Sequence, residues 1–290
     1  MIKGSIVALI TPFHEDGSVN FEKLGELLEW HVENKTDGIL VLGTTGESST
    51  MTHEEDDAVV EYTLRVINKR IPVIVGAGSN CTKTAVEKSI CYEAMGADFL
   101  LIISPYYNKA NNAGMIAHFT AVADAVHTPI IMYNIPGRTG VSISEDAVRV
   151  LSQHPNICGI KEASGNIAYA TSIARYLNDD FAMYSGNDDM ITSMLSLGSA
   201  GVISVLANIL PRETHDMVMD YLEGNVKKSL EAQLYYLNLV HALFIEVNPI
   251  PVKEALNLMG KQVGGYRLPL CEMSEDHKLV LEKAMREVNL

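Results

Sequence analysis

The segment ICGIKEAS, Ile157–Ser164, closes an apolar run with a cation. Ile157, Cys158, Gly159 and Ile160 suit a buried strand, and Lys161 then stands at its end with Glu162 behind it. Side chains alternate across a strand. If Lys161 faces inward, so do the small residues Gly159 and Ala163, which leave room around the amine, and Glu162 faces the other way. A surface lysine at a loop start, or a structural ion pair, fits this strand on its own just as well. Other strand ends shift the balance. Tyr133 stands at the same level of the preceding apolar run, and Arg138 follows five residues later. A phenol beside an amine can move a proton, and a guanidinium can hold a carboxylate in a two-pronged grip. With the hydroxyls of Thr44 and Thr45, these are the parts for Schiff-base chemistry on a keto acid.

Such chemistry needs a neutral amine. An ordinary lysine, with a pKa near ~10.4, is less than about 0.1% neutral at pH 7. Desolvation and the positive charge of Arg138 both lower that pKa. A value of ~7–8 raises the neutral fraction to roughly 10–50%.

The elements that must position these groups are legible as short, near-continuously apolar runs. They are SIVALITP from Ser5, DGILVLG from Asp37, IPVIVGAG from Ile71, ADFLLIISP from Ala97, PIIMYNIP from Pro129, ICGIKEAS from Ile157, FAMYSGND from Phe181 and GVISVLAN from Gly201. Such runs suit parallel strands covered on both faces. Helical spacing lies between them. Phe21, Leu24, Leu27 and Leu28 form a stripe after a candidate N-cap, Asn20, and Thr52–Glu55 reads as a capping box. Alternating strands and helices predict an α/β fold, a (β/α)8 TIM barrel. A doubly wound open sheet is the alternative, and the lack of a glycine-rich phosphate loop after the first strand favours closure. Residues 1–224 are expected to form the barrel, and 225–290 a small C-terminal helical appendage with helix starts near Pro251 and Ser274. In such barrels the chemistry sits at the C-terminal ends of the strands.

Composition narrows the function. The chain has 290 residues, 47% of them hydrophobic, and a formal charge of −14. That charge argues against nucleic acid and an anionic membrane surface as partners. A small anionic substrate still fits if the site carries its own cations. No run reaches the ~18 apolar residues of a membrane span, so the expected location is the cytoplasm, with the four scattered cysteines as reduced core thiols. The nine histidines form no HExxH or HxH pattern, so no metal is expected. Asp188–Asp189 reads as a solvated helix start rather than a cation site. GAGSN from Gly76 lacks the third glycine of a dinucleotide loop, and no GxSxG elbow is present.

Five segments, taken together, carry a resemblance: GTTGES (Gly43–Ser48), SPYYNK (Ser104–Lys109), YNIPGRTG (Tyr133–Gly140), GIKEASGN (Gly159–Asn166) and NPIPVKEAL (Asn248–Leu256). In order and separation they resemble the 4-hydroxy-tetrahydrodipicolinate synthase family, also called dihydrodipicolinate synthase, over nearly the whole chain. The resemblance implies a lyase-type class I aldolase of diaminopimelate and lysine biosynthesis, condensing pyruvate with L-aspartate 4-semialdehyde without a cofactor. It implies Lys161 as the Schiff-base lysine, Tyr133 as proton donor and acceptor, and Thr44 and Tyr107 as the rest of a hydroxyl relay. It implies Thr45, Gly186 and Ile203 as pyruvate-site residues and Arg138 as the holder of the semialdehyde carboxylate. It also implies that Tyr107 crosses a tight dimer interface, hence a homo-oligomer, as a tetramer built from two dimers.

Lysine-inhibited members bind lysine at that interface. Ser49, His53, Gly78, Asn80 and Tyr106 fall at matching positions, but Asp56 and Thr84 stand where those members carry His and Glu. Weak or absent feedback is expected, with Asp56 as a partial substitute for the missing acid. Within the superfamily, a sialic-acid or sugar-acid aldolase shares the lysine and tyrosine, and Arg138 argues for the synthase. A non-catalytic barrel is expected to lack Lys161 or Tyr133, and both are present.

Overall fold

A computed structural model describes residues 1–290. Eight parallel strands follow one another around a closed barrel in chain order. They are β1 (Gly4–Ala8), β2 (Gly38–Val41), β3 (Val73–Gly76), β4 (Phe99–Ile103), β5 (Ile130–Asn134), β6 (Ile157–Glu162), β7 (Ala182–Ser185) and β8 (Gly201–Ser204). Closure comes from β1 lying beside β8, with Ile6 opposite Ile203. The open-sheet alternative is thereby excluded.

The apolar runs are continuous because both strand faces are covered. Ile6, Ala8, Leu40, Ile74, Leu101, Ile131 and Ile203 fill the barrel interior. The alternate residues Val7, Ile39, Val41, Val75, Leu100, Ile102 and Ile160 face the surrounding helices. The first helix, Phe21–Glu33, starts where the Asn20 side chain accepts a hydrogen bond from the Lys23 N–H, and it buries Leu24, Leu27 and Leu28. The second, His53–Ile67, has the expected capping box: Thr52 accepts from the Glu55 N–H while Glu55 accepts from the Thr52 N–H.

One short helix the periodicity did not reveal, Pro136–Thr139, follows β5 and carries Arg138. Proline opens it and Gly140, at φ 71°, ends it in the left-handed region.

After residue 225 the chain forms helices Val226–Tyr235, Leu237–Ala242, Ile250–Leu258 and Glu275–Glu287. Their apolar residues Leu239, Ile250, Leu256 and Leu281 belong to the same buried cluster as Leu9 and Ile10 of the barrel. Three polar links run from this region to the segment after β2. Asn248 Nδ2 donates to Thr45 Oγ1 at 2.9 Å. Lys253 Nζ meets Glu47 Oε1 at 2.8 Å, both side chains wholly buried. Arg267 grips both oxygens of Glu55 at 2.7 and 2.6 Å and donates to the Thr50 carbonyl.

The cysteines depart from expectation. Cys81 and Cys271 are exposed and Cys91 and Cys158 are half-buried, so none is a core thiol; all four are free. No helix is long and apolar enough to cross a membrane.

Candidate active site

Lys161 stands near the C-terminal end of β6, opposite Tyr133 on β5 and Tyr184 on β7. It is 6% exposed, and its Nζ lies 4.4 Å from the centre of the Tyr133 ring. No carboxylate comes within salt-bridge distance of it. Burial drives its pKa down to about 8, Arg138 adds to the fall, and Asp188 opposes it. At pH 7 an amine of that pKa is neutral about one time in ten, which is enough for nucleophilic attack.

Tyr133 is likewise buried. Burial pushes its phenol up to about 12, against the pull of Arg138 and of the Thr44 hydroxyl beside it. It therefore holds its proton at neutral pH and can lend it. Thr44, on the loop after β2, lines a small cavity with Lys161, Tyr133, Arg138, Gly186, Val205, Phe244 and Asn248. The cavity measures about 50 Å³, room for a few water-sized bodies and no more.

Each wall has a local cause. A Cβ on Gly186 would stand 3.1 Å from Lys161 Cε and 2.5 Å from Ala163 Cβ, so only glycine leaves the lysine its space. Glu162 faces away from the interior, as alternation requires, and accepts from Asn134 Nδ2 and the Ser164 N–H. Asn134 in turn accepts from the Ile143 N–H. This outer chain of bonds fixes the ends of β5 and β6, and with them the level at which Tyr133 meets Lys161. Arg138 is exposed at the rim, and its Nη2 donates to the Asn248 carbonyl at 3.2 Å.

Lys161, Tyr133, Thr44, Thr45, Arg138 and Gly186 thus come together around one space. Ile203 does not line it: its side chain, 1% exposed, packs in the barrel interior. Tyr107 stands apart as well, 86% exposed and at φ 73°. Its neighbour Tyr106 lines a second cavity of about 310 Å³, which shares Gly43, Thr44, Leu101 and Tyr133 with the first.

Asp188 overturns the expectation of a solvated helix start. It is 2% exposed, and its Oδ2 accepts from the N–H groups of Val205 and Leu206 at 2.9 Å. Asn248 was also missed as an individual residue, although its motif was noted. An acidic pair after a strand looks like surface, and an asparagine far along the chain gives no hint that it returns to a loop near residue 45. No group of three or more His, Cys, Asp or Glu side chains is arranged to hold a metal ion.

A closed parallel barrel with a desolvated amine beside a phenol in its mouth is the arrangement that a lyase-type aldolase of the Schiff-base class requires. Comparison with known proteins narrows this. The profile of the dihydrodipicolinate synthetase family matches residues 1–288. The 4-hydroxy-tetrahydrodipicolinate synthase of Clostridium perfringens is 53% identical over 286 residues, covering 99% of this chain and 98% of that one. The solved dihydrodipicolinate synthase of Acinetobacter baumannii, complexed with pyruvate, is 41% identical with a TM-score of 0.97, and the match covers 99% of each chain. A solved monomeric dihydrodipicolinate synthase variant is 37% identical with a TM-score of 0.97, covering 100% of this chain and 97% of that one. The chain belongs to the dihydrodipicolinate synthetase family.

Proposed function

We propose that this chain condenses pyruvate with L-aspartate 4-semialdehyde, the 4-hydroxy-tetrahydrodipicolinate synthase reaction of diaminopimelate and lysine biosynthesis, through an imine on Lys161. The observation that carries the reading is the pairing of Lys161 with Tyr133 in a small buried cavity, the amine near pKa 8 and the phenol still protonated. The neutral amine attacks the keto carbon. Tyr133, with Thr44 beside it, protonates the oxygen that leaves as water and later takes a proton from the pyruvate methyl group. The resulting enamine carbon attacks the aldehyde. The semialdehyde's own amine then displaces Lys161 and closes the ring.

Arg138, exposed at the rim and bonded there to the Asn248 carbonyl, suits the carboxylate of the second substrate. Thr45 and Gly186 shape the pyruvate end. Ile203 contributes through main-chain groups at most, since its side chain packs below the cavity. A homo-oligomer, a tetramer of two tight dimers, agrees with an exposed Tyr107 that completes the partner's relay. The cytoplasm is the fitting location for such a biosynthetic enzyme. Lysine feedback is weak or absent, because the larger cavity has no acid among its lining residues.

Borohydride reduction in the presence of pyruvate tests the reading. A mass increase on Lys161, lost in Lys161→Ala, is the expected result. An unmodified wild-type chain would remove the mechanism.

A further inference from the structure

Tyr133 and Lys161 stand opposite each other on β5 and β6, and the next rung of that ladder is Asn134 against Glu162. Both of these side chains are buried on the outer face of the strands, and Asn134 Nδ2 donates to Glu162 Oε2 at 2.6 Å. Main-chain donors fix the two ends of the bond. The Ile143 N–H donates to Asn134 Oδ1 at 2.9 Å, and the Ser164 N–H donates to Glu162 Oε1 at 2.7 Å. A backbone N–H can only donate. Ile143 therefore claims the amide oxygen of Asn134 and turns its NH2 group toward Glu162. Glu162 then meets a donor at each oxygen, which a carboxylate satisfies and an amide cannot. Burial pushes its carboxyl above the ordinary value, and the hydrogen bonds from Asn134 and Ser164 oppose that rise. Main-chain bonds run alongside, from the Ala163 N–H to the Asn134 carbonyl at 2.9 Å and from the Gly186 N–H to the Glu162 carbonyl at 2.7 Å. Gly186 is the residue whose missing side chain gives Lys161 Cε its room.

We propose that Asn134 and Glu162 are positioning residues for the imine step, joined in a one-way chain of hydrogen bonds that locks β6 to β5 at the level where Lys161 meets Tyr133. The inference rests on the Schiff-base reading above. Neither residue lines the cavity, so both act through their neighbours in the chain. The lock has a need to answer, because the β5–β6 register shifts between Ile130 and Ile131 at the far end of the same ladder. A slip of one residue at the near end would turn Lys161 out of the barrel and bring Glu162 into it. The sense of the chain opposes such a slip, since only the observed register places a carboxylate between the Asn134 amide and the Ser164 N–H. Smaller errors matter as well: a misplacement of about 1 Å between reacting groups can cost roughly a hundredfold in rate.

The test reverses the sense of the chain. Glu162→Gln sets an NH2 group against either the Asn134 amide or the Ser164 N–H, and Asn134→Asp sets two carboxylates face to face. The double variant N134D/E162Q satisfies every partner again: the new amide donates to the new carboxylate, which also accepts from Ile143, while the amide oxygen accepts from Ser164. E162Q removes a negative charge and N134D adds one, so an effect of charge alone would drive the two in opposite directions, whereas a lost position lowers both. We expect kcat per folded molecule to fall about tenfold or more in each single variant and to return to within about threefold of wild type in the double. A purely structural pair would lower the melting temperature of the single variants, restore it in the double and leave kcat per folded molecule flat across the cycle. That result would overturn the inference, as would changes of opposite sign in the two single variants. Should a single variant fail to fold, Glu162→Asp takes its place, keeping the charge but withdrawing one methylene of reach. The same fall in kcat is expected there, and an unchanged kcat overturns the inference. Borohydride trapping with pyruvate keeps the two readings apart. No adduct on Lys161 in the wild type refutes the Schiff-base reading and this inference with it, whereas a labelled wild type with a flat cycle overturns this inference alone.

Discussion

Lys88 shows how a single side chain can reset what a cavity accepts. It lines the larger cavity, and its Nζ lies 2.8 Å from Asp56 Oδ2. Asp56 is 1% exposed, so its charge is already committed to Lys88. The idea that Asp56 replaces the missing acid at Thr84 loses force for that reason. A lysine ligand would bring a second ammonium next to Lys88, with His53 as the other titratable neighbour besides the tyrosines and no carboxylate lining the space. Like charges at such range repel unless a counter-charge sits between them. Free lysine at millimolar concentration is therefore expected to leave the initial rate nearly unchanged. Strong inhibition at micromolar lysine in the same titration would show that the ligand displaces Lys88 from Asp56.

At the scale of elements, the loop after β2 is held by helices that lie some two hundred residues downstream. Lys253 and Glu47 form the most buried of its anchors, with Lys253 Nζ also 4.3 Å from the Phe13 ring centre. Breaking one side of a buried pair strands the other charge and typically costs about 3–5 kcal/mol. Lys253→Met should destabilise the protein by that order in denaturant melts. Adding Glu47→Gln should recover much of the loss, because no unpaired charge then remains. kcat should fall in Lys253→Met beyond the fraction unfolded, since Thr44 and Thr45 share the loosened loop. The element level is also where the sequence was most and least readable. All eight strands stood out, because burial on both faces leaves an unbroken apolar run. The meeting of Tyr133 with Lys161 followed from counting along two adjacent strands. The Glu47–Lys253 and Thr45–Asn248 contacts did not, because pairing across such separations is set by tertiary packing and leaves no periodic trace. Asp188 was misjudged for the same reason: its charge suggested solvent, whereas the backbone N–H groups of the β8 turn and the Ser204 hydroxyl receive it inside.

For the whole molecule, the formal charge of −14 is unfavourable to the pyruvate anion and to the carboxylate end of the second substrate. Attraction must come from the local field of Arg138 and Lys161 at the barrel mouth. Tyr107 projects into solvent from a left-handed backbone conformation, a costly posture for a tyrosine without a task. If Tyr107 completes a partner's site, as proposed above, specific activity should drop on dilution in step with the mass reported by light scattering. Full turnover by a species of one chain would assign Tyr107 no part in the relay, and the solved monomeric relative makes that comparison available in a homologous protein.

The late position of Asn248, Lys253 and Arg267 has a consequence for birth on the ribosome. Translation delivers every strand of the barrel before it delivers these three residues, and chains begin to organise from the N-terminal side. A nascent chain halted after β8 would already hold Lys161 and Tyr133, yet Thr45 and Glu47 would still await their clasps. The loop after β2 thus gains its anchors only once the final stretch has emerged and folded back.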